Sequence, residues 1–381
     1  MLSPDELTRY SRHLPLEGFG PEGQQKLAAS HVLVVGLGGL GNPAALYLAA
    51  AGVGTLGIAD FDLVETHNLQ RQVLYDTDAV GRPKVAAAAA RLRAKNPFIR
   101  VVEHPEGVTP DNALSLFSSY DVIVDGTDTF RSRYLNGDAA ALSGKPLVHG
   151  SVLKFEGQVT FFDPAGGGPC YRCLHPKPPP PGAVPACGEA GVIGALCGVV
   201  GSLQALEAIK WIVGVGEVLR GRVLVLDGLS SRFHSFSLAR DPGCPVCGEN
   251  PSIRSPVSDP LQEECRNPDP QPGGLPLEVT VEEARDLLRK NPGGARILDV
   301  REPFEWAICG IPGAELLSLG NLPQRFPALA TDKHWLVLCH HGQRSMAATQ
   351  FLRAQGLGAV SSVEGGIEAW ARRLDASMRR Y

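Results

Sequence analysis

Three stretches of this 381-residue chain set reactive side chains at spacings that chemistry requires. In ETHNLQRQVLY, residues 65 to 75, Arg71 stands among the side-chain amides of Asn68, Gln70 and Gln72, and Lys84 follows a proline further on. Cations are what phosphates need as negative charge builds on them during substitution, and amides can orient their oxygens. Two C-x-x-C pairs, Cys170 with Cys173 and Cys244 with Cys247, offer four thiolates, the donor set of a closed tetrahedral zinc site. A redox role for either pair is the competing reading. In HWLVLCHHGQRSMAA, Cys339 ends an apolar strand and precedes a short loop and a helix. Loop amides, Arg344 and the helix dipole can there stabilise a thiolate or the terminal sulfur of a persulfide.

Such groups need elements to hold them. HVLVVG, residues 31 to 36, is a β-branched run suited to a strand buried on both faces, and NPAALYLAAAGVG reads as a helix closed by glycine. Between them, GLGGLG puts Gly36, Gly38 and Gly41 at the first, third and sixth positions, with Gly39 beside them, so that backbone amides can approach a phosphate. The next strand, TLGIADFD, carries Asp60 near its end, where a carboxylate can hold a ribose hydroxyl. Repetition through RPKVAAAAARLRAKN, IRVVEH, NALSLFSSY and DVIVDGTD predicts a doubly wound, Rossmann-like α/β sheet, with GQVTFFDP and GRVLVLDG as antiparallel additions. Asp128, in VDGTD, could hold Mg²⁺ through carboxylate oxygen. Taken singly, Arg71, Lys84 and Asp128 also read as a surface arginine, a helix N-terminal lysine and an N-capping aspartate; their clustering at successive strand ends favours a site.

Composition limits the partners. With 44% apolar and 20% charged residues and a formal charge of −4, the chain reads as soluble and globular, without a polyelectrolyte surface for nucleic acid or anionic membrane. MLSPDELTRY lacks the basic-then-apolar form of a secretory signal, which predicts a cytoplasmic protein with reduced thiols. Residues 191 to 214 are apolar for about a bilayer's span, but Gln204, Glu207 and Lys210 interrupt them, so a buried, glycine-faced helix is expected. A proline-rich, aperiodic stretch divides the chain into domains at 1–249 and 276–381, joined by a linker at 250–275. The second domain reads as a smaller α/β unit built from VEEARDLLRK, ARILDV, HWLVLC, SMAATQFLRAQG and GGIEAWARRL. HPKPPPPGAVPA suggests a mobile crossover loop, and Cys187 just after it combines that mobility with a helix N-terminus that lowers a thiol pKa. Cys187 is therefore either a nucleophile or a thiol without a role; Cys197, Cys265 and Cys309 read as packing or bystander residues.

The motifs GLGGLG, ADFD, NLQRQ, GRPK, GTD and GSLQALEAIK, in this order, resemble the MoeB/ThiF family of ubiquitin-activating-like adenylyltransferases over residues 1 to about 249. The resemblance implies that ATP adenylates the C-terminal glycine of a small ubiquitin-like sulfur carrier ending in Gly-Gly. It implies a nucleotide surface running from the glycine loop through Asn68, Leu69, Gln70, Arg71 and Gln72 to Lys84. Asp60 would hold the ribose, Asn68, Arg71 and Lys84 the phosphates, and Asp128, followed by Thr129, the Mg²⁺. It also implies zinc at the four cysteines, and a homodimer in which Arg12, ending RYSR, reaches the partner subunit's phosphates. His67 and Thr129 depart from the family's usual serine and asparagine. Some relatives form a thioester or acyl disulfide at the position of Cys187, and others manage without it. ILDVREPFEW, CHHGQRS and GGIEAW make residues 276–381 resemble a rhodanese domain, with Cys339 carrying sulfur from thiosulfate or a cysteine-desulfurase persulfide. The expected function is adenylation followed by sulfur transfer to give a thiocarboxylate, serving molybdenum cofactor synthesis, tRNA thiolation or another sulfur-carrier pathway. The alternatives are a dinucleotide-dependent oxidoreductase with a fused sulfur-handling domain, which the Arg71, Lys84 and Asp128 set disfavours, and a non-catalytic module that binds a ubiquitin-like protein.

Overall fold

The computed structural model describes residues 2–179, 191–256 and 275–381, which form two compact units. Cys187, Cys265 and most of the crossover and linker stretches lie outside the described residues. The first unit is an eight-stranded sheet in the order β3-β2-β1-β4-β5-β6-β7-β8. Its strands are β1 His31–Val35, β2 Thr55–Ala59, β3 Arg100–His104, β4 Val122–Asp125, β5 Leu147–Leu153, β6 Glu156–Phe162, β7 Arg222–Asp227 and β8 Arg232–Ser237. Pairing is parallel from β3 to β5 and antiparallel from β5 to β8.

The β-branched run in β1 follows from two-sided burial. Val32 and Val34 join one core with Leu48, Ala88 and Val200, while Leu33 and Val35 join the other with Phe117, Tyr134 and Tyr171. Successive strand residues point to opposite faces, so a strand covered on both sides has to be apolar throughout. The helix Gly194–Val213 is apolar and long enough to span a bilayer by length and composition, yet it packs on the helix Gly41–Ala51. At their crossing, a Cβ on Gly201 would strike the Leu40 carbonyl and Pro43. Its polar residues serve the core: Gln204 donates to the carbonyls of Asp125 and Val148 at 2.7 and 3.1 Å, and Glu207 accepts from the Leu219 amide at 2.7 Å. The strand order reverses between β1 and β4, opening a crevice at their carboxyl ends.

The antiparallel extension comprises β6, β7 and an unexpected β8, whose six residues are all exposed and so show no buried periodicity. The second unit holds a five-stranded parallel sheet, β11-β10-β12-β13-β9. β10 Ala295–Asp299 and β12 His334–Leu338 are the two strands that the sequence predicts. β9 Glu278–Val279 and β11 Glu315–Leu316 are only two residues long, and β13 Val360–Val363 hides its apolar pattern behind two fully buried serines, Ser361 and Ser362.

One close approach governs the first unit. A Cβ on Gly41 would fall on the Gly36 carbonyl, and Gly36 itself takes φ 82°, a left-handed conformation. Gly41→Ala is therefore expected to cost at least ~2 kcal/mol through overpacking. Urea unfolding checks this, and a parent-like midpoint would show that the turn is looser than its geometry.

Candidate active site

The glycine loop leaves β1 and enters the helix Gly41–Ala51 at the β1–β4 crevice. Asp60, just past β2, accepts from the Leu37 amide at 2.7 Å and from the Asp62 amide at 2.8 Å, so one carboxylate ties the second strand end to the loop. Burial raises the Asp60 pKa, opposed by Lys84. Lys84 opens the helix Lys84–Lys95, and its Nζ lies 2.8 Å from Asp62 and 3.8 Å from Asp60. Lys84 and Asp60 are both at least nine-tenths buried. Asp62, given no role by the sequence, is thus the direct partner of the lysine.

The ETHNLQRQVLY stretch is fastened to this loop by residues that the sequence reading passed over. Fully buried Asn42 donates to the Leu37 carbonyl at 2.6 Å and accepts from the Leu74 amide at 2.8 Å, and the Tyr75 hydroxyl donates to the same carbonyl at 3.1 Å. The available clue is an asparagine directly after the sixth-position glycine, inside an otherwise apolar helix. Asn68 is buried and caps its own turn by accepting from the Glu65 amide at 3.1 Å. Leu69 packs on the core and Gln70 is exposed. Arg71 lies along Gly39, where an added Cβ would come 3.4 Å from its Cδ, and its guanidinium donates to the His67 carbonyl at 3.0 Å. Gln72 is buried with its Nε2 3.9 Å from where a Cβ on Gly38 would sit, and its buried Oε1 has no partner. The fold therefore brings Gly36, Gly38, Gly39, Gly41, Asp60, Asn68, Arg71, Gln72 and Lys84 to one crevice.

At the end of β4, Gly126 abuts Gly41 and its amide donates to Val35 at 2.8 Å, which sets the 126–128 turn against the glycine loop. Exposed Asp128 follows, and the N-cap of the helix Phe130–Ser143 is Thr129, which accepts from the Ser132 amide at 3.1 Å. The capping alternative for Asp128 is thereby corrected. The turn hangs on Asp125, fully buried, which accepts from the Thr127 hydroxyl at 2.7 Å, Asn136 at 3.0 Å and His149 at 3.0 Å. Burial pushes this carboxyl up, but the bonds from His149 and Thr127 outweigh it and hold it below its ordinary range. Arg12 stands apart: it is exposed, and nearby Tyr10 packs at Gly52, the far end of the helix that Gly41 begins.

The two C-x-x-C pairs converge, with all four sulfurs within 4.8 Å of one another. Cys170 and Cys244 are 3.5 Å apart, as are Cys173 and Cys247. The bond from Cys170 lowers the Cys173 thiol to about 5 and correspondingly raises Cys170. Every cysteine among the described residues is free of disulfides, Cys197 and Cys309 included. Cys197 backs the glycine loop, its Sγ lying 3.0 Å from where a Cβ on Gly39 would sit.

In the second unit, Cys339 follows β12 and is fully buried. Its sulfur accepts from the Gly342 amide at 3.1 Å and lies 3.5 Å from the Ser345 hydroxyl, so one loop amide and one hydroxyl face it. Arg344 forms a bidentate pair with Glu305 at 2.7 and 2.8 Å. Behind them, Asp299 and Arg301 form a buried pair at 2.6 Å. Glu305 had no assigned role; nothing in REPFEW marks it as the partner of an arginine 39 residues away.

The family model described as ThiF family matches residues 10–246. The chain belongs to the ThiF family. It also carries a rhodanese-like domain, matched over residues 280–373. The probable adenylyltransferase/sulfurtransferase MoeZ of Mycobacterium tuberculosis is 43% identical over 388 residues, covering 100% of this chain and 96% of that protein. The adenylyltransferase and sulfurtransferase MOCS3 of Arabidopsis thaliana is 41% identical over 403 residues, covering 100% of this chain and 86% of that protein. The sulfur carrier protein adenylyltransferase of Thermus thermophilus is 52% identical over 254 residues, 66% of this chain and 94% of that protein. Among solved structures, E. coli MccB with an MccA variant superposes with a TM-score of 0.58 at 25% identity, covering 65% of this chain and 76% of that one.

Glu305 carries a pH signature. Burial raises its carboxyl, yet the Arg344 bonds and the Glu302 amide prevail and hold it down to about 2, against an ordinary 4.5. A depressed carboxyl stabilises the fold above its unfolded pKa and loses that contribution as pH falls toward the folded one. Glu305→Gln should therefore lower the melting temperature at pH 7, with the gap to the parent closing from about pH 4.5 down to about 2. A gap independent of pH would deny the pair this role.

Proposed function

We propose that the chain is an ATP-dependent adenylyltransferase and sulfurtransferase acting on a small ubiquitin-like sulfur carrier that ends in Gly-Gly. Residues 1–249 form the adenylating domain, 250–275 the linker and 276–381 the sulfur-transferring domain. The observation that carries this reading is the convergence of Arg71 and, through Asp60, Lys84 on one glycine loop, in a chain that also sets Cys339 against the Gly342 amide. A cofactor kept intact through hydride transfer has no need of that cation set, which counts against the oxidoreductase reading.

In the first step the carrier's terminal carboxylate attacks the α-phosphorus of ATP, and pyrophosphate leaves, giving an acyl-adenylate. Asp60 holds the ribose, the loop amides, Asn68 and Gln72 orient phosphate oxygens, and Arg71 and Lys84 offset the charge that develops on them. Lys84 has a buried aspartate on one side, so its ammonium is fixed in place before nucleotide arrives. Asp128, an exposed carboxylate on the turn set against the glycine loop, would hold Mg²⁺, which would supply further charge neutralisation. Arg12, exposed and away from its own loop, serves the partner subunit's nucleotide in a homodimer. In the second step the outer sulfur of a Cys339 persulfide attacks the acyl carbon and AMP leaves, giving an acyl disulfide. The Cys187 thiolate then attacks the Cys339 sulfur, forming a Cys187–Cys339 disulfide and releasing the thiocarboxylate. An external dithiol reduces the Cys187–Cys339 disulfide, sulfur enters from thiosulfate or a desulfurase persulfide, and the cycle runs in the cytoplasm for molybdenum cofactor synthesis or tRNA thiolation. Four thiols within 4.8 Å are a donor set that fits Zn²⁺, closed to substrate and structural.

Pyrophosphate exchange into ATP should require a Gly-Gly carrier and fall by about 10²-fold or more in Arg71→Ala. No exchange with any such carrier would return the first domain to a binding module. Cys339→Ala should leave exchange within about twofold of the parent and abolish thiocarboxylate formation, read by carrier mass. Loss of exchange in that variant would sink the division of labour. Cys244→Ser should release about one zinc per chain, and a parent with no zinc would refute the metal assignment.

A further inference from the structure

The Cys339 loop is anchored at its backbone from one side. The helix Gly366–Arg373 donates its Ile367 and Glu368 amides to the carbonyls of Cys339 and His340 at 2.8 and 3.1 Å. A Cβ on Gly366 would strike both carbonyls, so the helix sits directly under the loop. The loop's side chains are secured differently. Arg344 is gripped by Glu305. His340 is buried with Nε2 unpartnered, and ring stacking on both faces holds it: His341 at 3.9 Å and 24°, and Tyr381 at 4.2 Å and 14°.

Tyr381 joins these two holds. Its hydroxyl accepts from Arg301 Nη1 at 2.8 Å and donates to Glu305 Oε1 at 3.0 Å, the same oxygen that takes Arg344 Nη2. One side chain thus touches the first residue of the loop directly and grips its arginine through Glu305. The segment bringing it there is itself fixed: Met378 packs on the core of the unit, and Arg380 pairs with Glu368. The hydroxyl is satisfied as donor and acceptor, while Arg301 is locked by Asp299, so the strut ends on a fixed point.

We infer that Tyr381 is a positioning residue for sulfur transfer, a strut that holds His340 and the Glu305–Arg344 pair so that the Gly342 amide stays trained on the Cys339 sulfur. It acts through the loop and touches no reacting atom. Without it, the nest opens and the buried thiol becomes accessible to reagents. The inference deepens the sulfur-transfer reading above and rests on it for the turnover arm only.

The test uses the full chain with Tyr381→Ala and Tyr381→Phe. The first measurement is the rate of Cys339 alkylation by iodoacetamide, read by peptide mass, which requires no sulfur donor. The second is thiosulfate-to-cyanide sulfur transfer, and pyrophosphate exchange with carrier serves as control. In Tyr381→Ala, alkylation should rise and kcat fall, each by about 10-fold, with KM within about twofold and exchange unchanged. Tyr381→Phe keeps the stack and loses only the hydroxyl bonds, so it should lie between Tyr381→Ala and the parent; it decides the matter should the alanine variant fail to fold. Alkylation at or below the parent rate in a folded variant overturns the strut. A parent that alkylates at Cys339 but transfers no sulfur from thiosulfate overturns the donor reading, and the alkylation arm still judges Tyr381.

Discussion

The first unit depends on one close approach, the turn in which the Gly36 carbonyl occupies the space where Gly41 would carry a side chain. Because the turn is that tight, the helix Gly41–Ala51 starts at the edge of β1 and its first amides face the crevice. Gly126, at the end of the neighbouring strand, fits against the same backbone, so two strand ends are registered on one point. Asp60 adds the third by accepting from Leu37, and Asn42 and Tyr75 add the arginine-bearing stretch by donating to the Leu37 carbonyl. A substitution at any of these contacts would shift several groups together. This is the physical meaning of a preorganised anion site, since the donors are ordered by the fold before charge arrives.

The two units solve the problem of holding charge by the same device. In each, a buried carboxylate stands beside a cation near the loop: Asp60 for Lys84, which the exposed Asp62 also binds, and Glu305 for Arg344. A buried ion pair adds little net stability after desolvation, but it leaves each cation in one place. Position is what a phosphate or a persulfide anion requires. The cost of burying the carboxylates shows as opposite shifts. Asp60 is raised because burial outweighs its partners, and Glu305 is lowered because a bidentate arginine, a backbone amide and a tyrosine outweigh burial.

Legibility in the sequence followed the physics of each element. Strands buried on both faces were readable as β-branched runs, and the glycine loop was readable because backbone approach leaves no room for other residues. β8 was invisible because all its residues face solvent, and β13 because its buried serines bond to the Ser345 hydroxyl and the Pro276 carbonyl instead of presenting apolar carbon. At the candidate site, residue types with chemistry of their own stood out: Arg71, Lys84, the paired cysteines and Cys339. The residues that aim them did not. Asn42, Asp62, Asp125 and Glu305 are ordinary polar residues whose importance comes from partners 2 to 39 positions away, and no local pattern records such a partnership.

The cysteine cluster, remote in sequence from the nucleotide motifs, is joined to them in part through a buried pair. Arg172, between the first two cysteines, binds Asp138 in a bidentate pair at 2.7 and 2.8 Å and lies over the Tyr134 ring. Asp138 and Tyr134 belong to the helix that begins after Thr129, and Asn136 of that helix donates to Asp125, which holds the 126–128 turn. A cluster closed by a metal would therefore fix more than its own knuckle, because it would seat the helix that the Asp128-bearing turn leads into. Four thiols cannot all ionise at this separation without a cation between them, so the seating would be complete only with the metal in place. The spacing of 74 residues between the cysteine pairs is the reach needed to return from β8 to that helix after the sheet has been extended.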